Sequence, residues 1–76
     1  MSGMKTDLEL QEDVDEELSF DPSVDATRIG VAAKDGVVTL TGEVSSYAEK
    51  LAAEKAAKRV GGVNGVAQEI EVELPA

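Results

Sequence analysis

Apolar residues recur every four positions early in the chain, at Leu10, Val14 and Leu18, and every two positions from Ile29 onward. The first spacing sets three side chains on one stripe of a helix. Thr6 and Glu9 stand ahead of it as a capping box. Pro22, in FDPSVD, disfavours helix at Asp21 and lacks a backbone N–H, so the helix ends there and a loop runs to about Thr27. From Arg28 to Lys34 the pattern alternates, with Ile29, Val31 and Ala33 on one side. Asp35-Gly36 is a two-residue hairpin signal, which predicts two antiparallel strands.

In the second strand Val38, Leu40 and Val44 share a face with Gly42, while Val37, Thr39, Thr41 and Glu43 point the other way. A glycine inside a strand marks a bulge or a close approach by another backbone. The alanine-rich segment that follows makes a helix the expected neighbour of Gly42. Ser46 and Glu49 are spaced as a second capping box, and SYAEKLAAEKAAKRV reads as a helix ending at Gly61-Gly62, with Lys58 and Arg59 complementing its dipole. Ala53, Ala56, Ala57 and Val60 fall on one side at 100° per residue. From Val66 to Leu74 Ile70, Val72 and Leu74 alternate with Glu69, Glu71 and Glu73, and Pro75 stops the strand.

The predicted order is helix, strand, strand, helix, strand, an α+β fold of αββαβ type. The hairpin and a right-handed βαβ unit make a small three-stranded mixed sheet. Its single consistently apolar face must serve both helix stripes, so both helices are expected to pack on that face. Strand order 1-2-3 is favoured, with 3-1-2 the alternative. Residues 6–74 form one domain. Met1 to Lys5 are read as a disordered N-terminal segment or cloning remnant, and Pro75-Ala76 as a tail.

Composition narrows the chemistry. A chain of 76 residues hides only about 60% of the surface its unfolded form exposes. It has no cysteine and no histidine, which removes disulfides, thiolate sites and imidazole acid–base catalysis. Phe20 and Tyr47 are its only aromatics and its net charge is −9, a poor composition for stacking bases or replacing counterions on phosphates. Nucleic acid is not an expected partner, and no cofactor or metal is implied. Met1 to Arg28 carries two basic and nine acidic residues, whereas Ile29 to Ala76 carries five and seven. That acidity reads as a solvated helix face or a cation or partner site. With no apolar run of membrane-spanning length and no hydrophobic leader in MSGMKTDLE, the chain reads as soluble and unexported.

Taken together, the LELQEDVDEEL helix, FDPSVDATRIGV, DGVVTLTGEV with its glycine, AAEKAAKRVGGVNGV and EIEVEL resemble the BON domain, named for bacterial osmotically induced and nodulation proteins. The resemblance covers nearly the whole chain, and Asp35, Gly36, Gly42, Gly62, Val63 and Val66 lie in its motif. It implies a non-catalytic αββαβ binding module of the bacterial periplasm or cell envelope, often in tandem copies. It also implies association with phospholipid or a membrane surface and protection against osmotic stress. An adjacent BON repeat or a protein partner is the alternative. Without a leader, a cytoplasmic protein or a fragment of a longer one also fits.

Tyr47 and Leu51 lie one turn apart on the outward face of the second helix, beside Lys50, Lys55 and Lys58. This is either an amphipathic contact patch with a lysine rim or two ordinary exposed apolar residues. The GxxG of Gly62 to Gly65 is read as a helix-ending turn in left-handed conformation that returns Val63 and Val66 to the core, not as a phosphate or nucleic-acid clamp. Glu43, Glu69, Glu71 and Glu73 are read as exposed groups that keep a sheet edge from pairing, with cation binding or acid–base chemistry as the competing use.

Overall fold

The computed structural model describes residues 5–73; the expectations for Met1 to Met4, Leu74 and the Pro75-Ala76 tail lie outside them. Helix α1 spans Asp7–Phe20, a 3-10 turn spans Ala26–Arg28, strands β1 and β2 span Ile29–Lys34 and Val37–Val44, helix α2 spans Tyr47–Arg59, and strand β3 spans Gly65–Val72. The sheet order is β1-β2-β3, with β1 and β2 antiparallel and β2 and β3 parallel. This is the predicted α+β arrangement.

Both halves of the Thr6–Glu9 capping box are present, and Asp21 closes α1 in extended conformation one residue before Pro22. Asp35 and Gly36 both have positive φ, 52° and 82°, as a mirror-image two-residue turn requires. Leu10, Val14 and Leu18 of α1, Ala53, Ala56 and Ala57 of α2, and Ile29, Val38, Leu40, Val44 and Ile70 of the sheet form one buried cluster, so the two helices share one sheet face. The other face is open. Val24, from the loop, joins the core, and Val60, Val63 and Val66 pack against it partly buried.

Two local expectations fail. Gly42 faces the chain entering β1 and not α2: at φ 124°, a Cβ there would overlap the Arg28 carbonyl oxygen and lie 3.2 Å from Ile29 Cα. The second capping box forms by half. Ser46 Oγ accepts the Glu49 N–H at 3.1 Å, but the Glu49 carboxylate accepts from Ser45 at 3.2 Å and Asp25 at 2.9 Å. The longer reach ties the start of α2 to the loop after α1, which a sequence pattern of local spacing does not encode.

Candidate binding face

Helix α2 is held to the sheet by alanines. Ala53, Ala56 and Ala57 are fully buried, and their small side chains bring the helix backbone close while leaving every larger side chain to the flanks or solvent. Tyr47 is 62% exposed and Leu51 38% exposed. Lys50 Nζ lies 6.0 Å from the Tyr47 ring centroid, at the outer limit of a cation–π contact. Helical spacing sets Lys50 and Lys55 on opposite flanks of the Tyr47–Leu51 stripe, and Lys58 continues it one turn beyond Glu54.

Lys58 is anchored: its Nζ is 3.0 Å from Glu54 Oε2. The Lys58 hydrogen bond and then its charge hold the Glu54 carboxyl below its ordinary value, with smaller help from Gln68 and Lys50 and opposition from burial. Among the described residues Lys50 and Lys55 form no ion pair. The structure therefore brings Tyr47, Lys50, Leu51, Lys55 and Lys58 onto one helix face, with Lys50 half-buried and the others exposed.

The motif residues gather elsewhere. The N-terminus of α1, the Asp35-Gly36 turn and the turn from α2 into β3 meet around a cleft of about 510 Å³ with Leu10 at its base. Two hydrogen bonds tie the turns together beside it: Asp7 Oδ1 accepts the Asp35 N–H at 3.0 Å, and the Asn64 N–H donates to the Gly36 carbonyl at 2.7 Å. Of the glycines ending α2, only Gly62 has a left-handed φ, 98°. Gly42 is remote from this group, at the far end of β2.

On the open sheet face Arg28 reaches Glu73 at 3.2 Å and Glu43 at 3.9 Å. Sequence reading missed this bridge, since 45 residues separate its closer partners. No polar or charged side chain among the described residues is buried, and no group of three or more acidic ligands converges on a metal position. Glu43, Glu69, Glu71 and Glu73 are all exposed, and two of them pair with Arg28. Phe20, 76% exposed at the end of α1, and Leu8 were also missed. The 100° rule that found Leu10, Val14 and Leu18 does place both off that stripe.

No described helix is long and apolar enough to cross a membrane. Compared with known families, residues 6–73 match the BON domain. No curated protein matches the chain.

Proposed function

The chain belongs to the BON-domain family, a family of non-catalytic domains, and on that premise we propose that it is a binding module which associates with phospholipid surfaces of the bacterial envelope through the outer face of α2, in osmotic-stress protection. The observation that carries this reading is the exposed Tyr47–Leu51 pair with Lys50, Lys55 and Lys58 around it. The ring and the leucine suit the boundary between headgroups and acyl chains, and the lysines suit phosphates.

Magnitude limits what one domain achieves. Covering the exposed parts of Tyr47 and Leu51 supplies about 2–3 kcal/mol by area, short of the roughly 4 kcal/mol that corresponds to a millimolar dissociation constant. Lysines near an anionic surface add about 1 kcal/mol each. The net charge of −9 works against them until salt shortens the screening length below about 10 Å. A single copy thus binds weakly, and tandem copies on one surface would multiply its residence.

The same charge supports a second reading, in which the α2 face docks onto other BON copies or a protein partner and no lipid is bound. Sedimentation of the protein with zwitterionic and with anionic phospholipid vesicles, at low and moderate salt, separates the two. Lipid association predicts co-sedimentation that Leu51→Asp abolishes while the thermal midpoint barely moves. Absence of co-sedimentation at millimolar lipid under every condition contradicts it and leaves the docking reading.

A further inference from the structure

The two outer strands of the sheet are guarded differently. On β3 the residues facing the open side run Gly65, Ala67, Glu69 and Glu71, with Glu73 just beyond the strand. Such charges keep an edge from pairing with another chain. On β1 the corresponding residues are Gly30, Ala32 and Lys34, so only its last position carries charge. Lys34 and Val37 flank a two-residue turn and form a hydrogen-bonded pair, and by alternation Ala32 and Gly30 also turn their backbone groups toward β2. Val31 and Ala33 therefore direct theirs outward, along an edge at which the sheet ends.

Above that edge runs α1, which packs over β1 while α2 packs over β3. Between α1 and β1 lies a groove of about 150 Å³ lined by Gln11, Glu12, Asp15 and Val31. Neither Glu12 nor Asp15 forms an ion pair among the described residues; the acids of α1 that do are Asp13 and Glu17. A strand added beside β1 would alternate its side chains between this acidic wall and the open side, where Gly30 and Ala32 leave room for any residue.

We infer that the β1 edge is a strand-addition site for an extended basic peptide segment of a partner protein, whose main chain pairs with Val31 and Ala33 and whose lysine or arginine side chains lie against Glu12 and Asp15. The site lies beyond the α2 face and works independently of it. Charge decides the occupant. A second copy pairing through β1 would bring two α1 helices side by side, each with seven acidic and no basic residues, whereas a basic strand neutralises the wall it meets.

The test is an amide-resonance titration of the labelled full chain with a nine-residue end-capped peptide alternating lysine and valine. Two further peptides serve as controls: the same sequence N-methylated at alternate residues, and a glutamate–valine counterpart. Strand addition predicts shifts confined to Gly30–Lys34 and Gln11–Asp15, at least tenfold slower hydrogen exchange at Val31 and Ala33, and loss of both with the methylated peptide, whose charge is unchanged. The double variant Glu12→Lys, Asp15→Lys, with an unfolding midpoint within a few degrees of the parent, loses at least tenfold in affinity for the lysine peptide and admits the glutamate one. Equal binding of the methylated peptide would reduce the effect to charge attraction by α1 and overturn the proposal. So would shifts along β3, no binding at millimolar peptide, or a peptide-free dimer joined through β1.

Discussion

The two helices solve one packing problem in opposite ways. Each starts from a hydroxyl cap and buries three residues on the same sheet face. Helix α1 does so with Leu10, Val14 and Leu18, and its remaining surface carries seven acidic and no basic residues. Helix α2 does so with three alanines and carries four basic residues against two acidic. The inward stripes are interchangeable in purpose, since either satisfies the sheet; the outward faces are not. The fold is thus written on one side of each helix, leaving the other side to distinguish an acidic wall from an amphipathic, cationic face.

Replacing volume on the two stripes is the most damaging way to probe that comparison. Leu18→Ala, which empties a fully buried site, should cost about 3 kcal/mol. In a domain this small each kcal/mol is worth about 4–8 °C in the melting midpoint, so thermal unfolding would show a loss of well over ten degrees. Ala57→Leu asks the reverse of α2. It forces a larger side chain into a fully buried position of the helix, and should cost about 1–3 kcal/mol by denaturant titration. Gly42→Ala should cost about 2 kcal/mol through its left-handed φ and the overlap with Arg28. Because that strain sits where β1 begins, the loss of stability from Gly42→Ala in circular dichroism melts should add independently to the loss from substitutions on α2.

Outside the stripes the effects on stability become small. Leu51→Asp should change the unfolding free energy by no more than about 0.5 kcal/mol and yet remove vesicle association. Lys58→Gln should be milder still. It removes the hydrogen bond and charge that hold Glu54 down, so the Glu54 carboxyl moves up toward its ordinary value in a carbon-detected titration. A carboxyl whose folded value is depressed contributes stability that is present above its unfolded value and lost as pH falls through the folded one. The parent should therefore show a small acid-side loss of stability in that window, and Lys58→Gln should lack it.

Much of this was legible in the chain because it is local. The element order, the α1 cap and stop, the Asp35-Gly36 turn and the alanine stripe all follow from spacings of four residues or fewer. What was not legible depends on partners far along the sequence. Gly42 has the close backbone neighbour that a strand glycine announces, but only the pairing of Ile29 with Gly42 reveals that β1 supplies it. Glu49 has the spacing of a capping residue, yet Asp25, 24 positions away, competes for its carboxylate. The Arg28 bridge to Glu43 and Glu73 needs all three strands in register. The Tyr47–Leu51 face was found by helical phase alone, and exposure of both residues agrees with that phase.

The central claim is that phospholipid meets the outer face of α2 and not that of α1. It is tested most directly by following every backbone amide while phospholipid micelles, zwitterionic and then anionic, are added at low and at moderate salt. The account predicts shifts concentrated between Tyr47 and Lys58, lost in Leu51→Asp, with the amides from Leu8 to Phe20 unmoved. Shifts centred on α1, or an α2 that stays silent at high lipid, would contradict it.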